Sequence, residues 1–282
     1  MIRVQHVYHD YEGKGHYAVA DISFVAESGK IFGFLGPSGA GKSTVQNIMT
    51  GLLPLQKGEV FYDELSVRHV KTAFFNRVGV SFEQPNVYTA LTGYENLAYF
   101  AAQFSVPTLD PMKLLDRVGL RDSAHKKASE YSKGMKQRLT LARALINQGD
   151  YLFLDEPTSG LDPATSVLVR ELIREQAKRG ATIFLTTHNM ELADSLCDTV
   201  AFLSDGKIQA MDTPNALKRT YGTSQVRVTV LKDGREEDSF FDLRQPQAFH
   251  AFLLENHIIK VHSMEATLEE IFLRVTGKEL KS

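Results

Sequence analysis

Two stretches near the start of the chain, residues 2–8 and 17–25, alternate apolar and polar positions. Successive side chains of a strand point to opposite faces, so this alternation predicts two half-buried strands. The next run, KIFGFLG at 30–36, is almost wholly apolar and predicts a strand buried on both faces. It flows into a glycine-rich turn and then TVQNIMTGLL, which has helical spacing. RVGVSF (77–82), YLFLD (151–155), ATIFLTT (181–187) and DTVAFL (198–203) read as further buried strands, and GKIQAM (206–211) as a final edge strand. Helical patterns lie between them, near 132–147, 163–179 and 189–196. Strands alternating with helices predict an α/β layered domain with a mainly parallel central sheet. Residues 92–127 contain no convincing strand and read as a helical insert, with NLAYFAAQF and PMKLLDRVGL as its helices.

The pattern changes after about residue 221. VRVTVLKDG predicts a strand ending in an Asp233–Gly234 turn, and DSFFDL a second strand. QAFHAFLLEN is helical, IIKVHSM strand-like, and TLEEIFLRVTG an amphipathic helix with a glycine stop. The reading therefore divides the chain into a core over 1–221, with a helical subdomain at about 86–148, and a small accessory α/β region over 222–282. No internal repeat or low-complexity segment is evident.

Composition narrows the functions. Of 282 residues, 43% are hydrophobic, enough for a sizeable core. The net charge of −2 gives no global basic excess that would favour nucleic acid. A single cysteine, Cys197, excludes an intrachain disulfide and fits a reducing compartment. The first residues lack the apolar region of a secretory signal, and no run reaches the roughly 18 apolar residues that span a bilayer. Any membrane-spanning part of its system is expected on another chain.

GPSGAGKST, Gly36 to Thr44, follows a predicted buried strand and precedes a predicted helix. Its order (Gly36, Pro37, Ser38, Gly39, Ala40, Gly41, Lys42, Ser43, Thr44) matches the Walker A phosphate loop, GxxxxGK[ST]. Glycines let such a loop turn its N–H groups onto phosphate oxygens, and the helix adds its positive N-terminal end. Lys42 would reach the β- and γ-phosphates of ATP, and the Ser43 hydroxyl would coordinate Mg²⁺. YLFLDEPTSGLD (151–162) supplies carboxylates at a strand tip, as a Walker B strand does. Asp155 is placed to hold the metal, and Glu156, one residue on, to polarise the attacking water. His188 directly follows another buried strand, at the carboxyl edge of the sheet, where it could hydrogen-bond the γ-phosphate and water. YSKGMKQR (131–138) opens a helix with Ser132 as its predicted N-cap.

These motifs, in this order, resemble the nucleotide-binding subunit of ABC transporters over roughly residues 1–220. The resemblance implies a P-loop NTPase core with an antiparallel β subdomain and a helical subdomain. It implies that YSKGMKQR stands where the family has its signature, LSGGQ: Ser132 and Gly134 are retained, while Tyr131, Lys133 and Met135 depart. The family's Q-loop glutamine, a metal ligand, matches Gln84. Its D-loop matches Ser159 to Asp162, and its adenine-stacking aromatic matches Tyr11, with Tyr8 and Tyr17 as alternatives. Two subunits of this family pair head to tail, so Ser132, Lys133, Gly134, Met135 and Asp162 of one would face the ATP of the other. Lys133 has two readings, toward that phosphate or toward solvent. The spelling YSKGMKQR and the ending EATLEEIFLRVTG resemble the drug-export, daunorubicin-resistance type and ABC-2 exporters. That implies an ATP hydrolase paired with a second ATPase subunit, as a homodimer in the ATP state, on a separate transmembrane permease at the cytoplasmic face of the membrane. The alternatives are a soluble ABC ATPase acting on ribosomes or DNA, and a regulatory cassette that does not hydrolyse ATP.

Overall fold

The computed structural model describes residues 1–222, 225–232 and 234–277. The chain divides into two compact units, the first running from Met1 to Met211 and the second starting at Asp212.

The first unit is built on two sheets. β1 (Ile2–His9), β2 (Val19–Ala26), β4 (Lys57–Tyr62) and β5 (Leu65–Ser66) form an antiparallel sheet in the order β2-β1-β4-β5. The alternation in β1 and β2 largely holds: Ile2, Val4, Val7, Val19, Ile22 and Phe24 are buried between exposed or half-buried neighbours, with a register shift between Val4 and Val7. The second sheet combines β3 (Ile31–Leu35), β6 (Val78–Ser81), β7 (Tyr151–Asp155), β8 (Thr182–Thr187), β9 (Thr199–Ser204) and β10 (Lys207–Asp212). Its order is β10-β9-β3-β8-β7-β6, and β9, β3, β8, β7 and β6 run parallel. β3, β7 and β8 are buried along their whole length, as continuous apolar runs require. Phe24 of the antiparallel sheet stacks on Phe32 and Phe184 of the parallel one, with ring centroids 4.7 and 5.7 Å apart. This aromatic seam joins the two sheets into one core.

Helices connect the parallel strands. α1 (Lys42–Met49) follows β3, α5 (Pro163–Lys178) follows β7 and α6 (Met190–Leu196) follows β8. Between β6 and β7 stand α2 (Gly93–Ala101), α3 (Pro111–Arg117) and α4 (Lys133–Leu145). A capping box of Thr92 and Glu95 starts α2, and Asp110 with Pro111 starts α3. β4 and β5 have no counterpart in the sequence reading. Lys57, Gly58 and Glu59 look like a loop, yet Val60 and Tyr62 are buried alongside β1.

The second unit contains α7 (Pro214–Tyr221), β11 (Gln225–Lys232), β12 (Arg235–Asp242), α8 (Pro246–Glu255), β13 (Ile258–Met264) and α9 (Leu268–Thr276). Its antiparallel sheet has the order β12-β11-β13. Val226, Val228 and Val230 are buried there, packed with Phe241, Phe249 and Phe252. α7, unread in the sequence, lies against α9, where Arg274 hydrogen-bonds the Tyr221 carbonyl. Asp233 of the expected turn lies outside the described residues; Gly234 has φ +77°.

Candidate active site

The loop between β3 and α1 is held by its glycines. A Cβ on Gly36 would sit 2.2 Å from the Leu203 carbonyl oxygen. Gly41, at φ +105°, would put one 2.7 Å from the Ala18 carbonyl oxygen. Neither position admits a side chain, so the loop packs directly on neighbouring backbone. Lys42 then enters the first turn of α1, and its ammonium donates to the Gly36 and Pro37 carbonyls at 2.6 and 3.0 Å. Burial pushes the Lys42 pKa down, and the nearby Glu156, Asp155 and Glu83 carboxylates work against that.

Asp155 ends β7. Its carboxylate accepts hydrogen bonds from the Ser43 hydroxyl, at 3.3 Å, and from Thr186 on β8. Burial pushes its pKa up, while the Thr186 and Ser43 hydroxyls pull the other way. Glu156 turns the chain out of the strand with φ +47°, a conformation rare for a residue with a side chain. Its N–H donates to the Thr186 carbonyl at 3.0 Å. Its carboxylate is held at three points: the Thr187 hydroxyl at 2.8 Å, the His188 N–H at 2.8 Å and the His188 Nδ1 at 2.6 Å. Both carboxylates are buried, whereas the His188 ring is half exposed.

Tyr11 reaches the same place from the loop after β1. Asp10 organises that loop. Burial works against its charge, but N–H groups of Glu12, Gly15 and Gly13 outweigh this and hold its carboxyl below the usual range. Gln56 clamps the Asp10 backbone with two hydrogen bonds. The Tyr11 hydroxyl meets Thr44 at 3.0 Å, and its ring, 61% exposed, is free to stack. Tyr11 packs edge to face on His9, and Tyr8 and Tyr17 on each other; of the three tyrosines only Tyr11 lines the cleft.

Together these residues enclose a cleft of about 490 Å³, lined by Tyr11, Ser38, Gly39, Gly41 to Thr44, Glu83, Asp155, Glu156 and His188, among others. Gln84 is not among them. Its side chain is exposed, and the cleft position expected for it belongs to Glu83. The two polar neighbours alternate in direction where the chain leaves β6, and sequence alone does not choose between them. Thr186 and Thr187 were also missed. They read as β-branched strand formers, yet their buried hydroxyls hold Asp155 and Glu156.

The signature residues stand apart from this cleft. Ser132 caps α4, accepting the Met135 N–H at 3.2 Å and keeping its own hydrogen to donate. Tyr131, a departure from the family spelling, is buried and donates to the Ser123 carbonyl at 2.7 Å. Lys133 lies across the D-loop: its Cδ and Cε are 3.5 Å from where a Cβ on Gly160 would be. A Cβ on Gly134 would lie 3.4 Å from Leu161 and 3.5 Å from the Gly160 carbonyl oxygen, an ordinary contact distance. Asp162 caps α5 through the Thr165 N–H and hydroxyl, which hold its carboxyl below the usual range.

A glycine-rich loop before a helix, a histidine at the tip of the adjacent strand and two carboxylates one strand further are the arrangement of a nucleotide hydrolase. Residues 19–159 match the model of the ABC transporter family. This chain belongs to that family. It is an ATP-binding, ATP-hydrolysing subunit of an ABC export system. It is 46% identical to a fluoroquinolones export ATP-binding protein of Mycobacterium tuberculosis, over 99% of this chain and 94% of that protein. It is 36% identical to the Nod factor export ATP-binding protein I of Bradyrhizobium diazoefficiens, over 93% and 92%. Among solved structures it resembles an ATP-binding subunit of an ABC transporter, with a TM-score of 0.72 and 26% identity over 79% of this chain and 93% of that one. It also resembles a dimeric ATP-binding cassette in a post-hydrolysis state bound to ADP and Pi. That match has a TM-score of 0.70 and 25% identity, over 76% and 98%.

Proposed function

We propose that this subunit hydrolyses Mg²⁺-ATP between two copies of itself and drives a separate transmembrane exporter from the cytoplasmic face of the membrane. The convergence of the phosphate loop, Asp155, Glu156 and His188 on one cleft carries the reading. Tyr11 stacks on the adenine, and the Gly36–Thr44 loop with Lys42 receives the phosphates. The donors fit Mg²⁺: Ser43 and Asp155 offer two hard oxygens close together, as suits an ion that keeps waters and phosphate oxygens as its remaining ligands. Among the described residues, no cluster of His, Cys, Asp and Glu could hold a metal alone, which suits an ion that arrives with the nucleotide. When bound, Mg²⁺ neutralises charge on the β- and γ-phosphates.

Glu156 is the general base. Its carboxylate is fixed by Thr187 and the His188 N–H, so a water between it and the γ-phosphate would lose its proton without the base having to reorient. His188, hydrogen-bonded to Glu156, presents its other ring nitrogen to the phosphate or the water. From a second subunit, the start of α4 brings Ser132, Gly134 and free backbone N–H groups onto the γ-phosphate, closing the cleft. The post-hydrolysis dimer among the similar structures supports this pairing.

A second concavity suits the membrane partner. A groove of about 330 Å³ between the core and the helical subdomain is lined by Leu52, Phe75, Phe82, Phe100, Phe104 and Arg143, among others. Arg143 is pinned to Asn86 and stacked on Phe100, so the groove has a fixed polar end. A short amphipathic segment of the permease would dock there. No helix of the described residues is long and apolar enough to cross a membrane. The test is Glu156→Gln with ATP, measured by turnover and light scattering. Turnover should fall about 10²–10⁴-fold and a stable ATP-bound dimer should accumulate. Wild-type turnover in this variant would overturn the assignment.

A further inference from the structure

Gly93 opens α2, and the space left by its missing side chain is already taken. A Cβ there would lie 2.2 Å from the Tyr131 hydroxyl oxygen, 3.1 Å from Cζ of the same ring and 3.4 Å from the Ala124 carbonyl oxygen. The φ of Gly93 is not positive, so its backbone does not call for glycine; the tyrosine does. The Tyr131 hydroxyl goes on to donate to the Ser123 carbonyl at 2.7 Å. The two chain segments around this contact are laced together. The N–H groups of Gly93 and Tyr94 donate to the Lys126 and Ala124 carbonyls, and those of Ala128 and Ser129 to Leu91 and Thr89. Tyr131 thus ends a segment tied to the start of α2, and Ser132 is the next residue. Beyond it the signature has little hold of its own: Ser132 and Lys133 are exposed, and Gly134 has no side chain. Arg138, in the second turn of α4, donates to the Val118 and Gly119 carbonyls and fixes the body of the helix.

We propose that Tyr131 is a positioning residue of the shared site: its hydroxyl, held in the notch at Gly93, sets where Ser132 and Gly134 meet the γ-phosphate bound by a partner subunit. This rests on the pairing of two copies proposed above. Helix N–H groups act on an anion at hydrogen-bond distance, so a displacement of about 1 Å at the start of α4 loses much of the contact. The leucine of the family spelling has no hydroxyl to place there. A tyrosine at this position needs a residue without a side chain opposite it, and Gly93 supplies that. The two residues are a matched pair, and their effects on pairing are expected to be coupled.

The experiment uses the full chain carrying Glu156→Gln, so that hydrolysis does not undo the ATP-bound pair. Tyr131→Phe, Gly93→Ala and the double variant are compared with this reference. Pairing is followed by light scattering against ATP concentration. Binding of a fluorescent ATP analogue is measured at protein concentrations too low for pairing, and thermal unfolding is recorded alongside. Tyr131→Phe should raise the ATP concentration for half-maximal pairing about tenfold. Gly93→Ala, which displaces the hydroxyl, should do at least as much. The double variant should be no worse than Gly93→Ala alone, because the hydroxyl that clashes with the new methyl is gone. Nucleotide binding by the single subunit should stay at the reference value throughout. A merely structural tyrosine would lower the unfolding temperature and leave the pairing midpoint where it is, and that result overturns the proposal. Multiplying effects in the double variant overturn it too. Should Gly93→Ala not fold, the pairing midpoint of Tyr131→Phe decides alone. If the reference pairs and Tyr131→Phe pairs equally well, the role of Tyr131 falls while the shared site stands. If the reference itself does not pair with ATP, the shared site falls and the role of Tyr131 with it.

Discussion

The two halves of the proposed composite site are built in opposite ways. On the phosphate-loop side the chemical groups are buried and mutually committed. Lys42, Asp155 and Glu156 are 9, 7 and 7% exposed, and threonine hydroxyls and loop carbonyls fix each of them. On the signature side Ser132 and Lys133 are exposed, and α4 points its N-terminus at no group of its own cleft. A buried, hydrogen-bonded group is already oriented for its reaction, at the cost of desolvation that only a charged ligand repays. An exposed helix start pays no such cost and can wait for an anion. The first half is a catalytic site in need of a lid; the second is a lid without a site.

The largest expected break in this comparison is on the signature side. Gly134→Asp places a carboxylate where the partner's γ-phosphate should arrive. The space at Gly134 accepts a side chain at ordinary contact distance, so the subunit should still fold. ATP-dependent pairing, followed by light scattering, should be lost, while nucleotide binding by the single subunit stays at the wild-type value. A next, smaller effect tests the commitment of the buried half. Thr187→Val keeps the shape of β8 but removes a buried donor to Glu156. A loss of about 1–3 kcal/mol is typical for such a group. Turnover should fall about tenfold, the rate equivalent of 1.4 kcal/mol, and pairing should persist; unchanged turnover would show that Glu156 needs no such anchor.

Much of the buried half was legible in the sequence because its chemistry demands a local pattern. A phosphate loop needs its glycines, lysine and serine within nine residues, and an apolar run ending in Asp155–Glu156 announces a strand tip. What stayed hidden depends on direction or on distant neighbours. Glu83 and Gln84 are adjacent polar residues, and only the twist of the chain leaving β6 decides which one faces the cleft. Thr186 and Thr187 look like strand formers until β7 is set beside them. β4 was missed because its burial comes from pairing with β1, more than fifty residues earlier. Lys133 also changed. Of its two readings, toward the phosphate or toward solvent, neither foresaw that the exposed side chain lies over Gly160 of its own D-loop. Lys133→Ala should therefore have the smallest effect of the series, about a twofold loss of turnover, as for most exposed charges. A hundredfold loss would promote the lysine to a phosphate ligand.

The central claim is that the lid comes from another subunit, and a mixing experiment tests it most directly. Lys42→Ala leaves the signature intact without a working phosphate loop, and Gly134→Asp leaves the loop intact without a working signature. Each variant alone should be inactive. If the site is shared, mixing them creates pairs in which one intact loop faces one intact signature, and ATP turnover should reappear. If each subunit completes its own site, the mixture should stay as inactive as its parts, and that result would contradict the account.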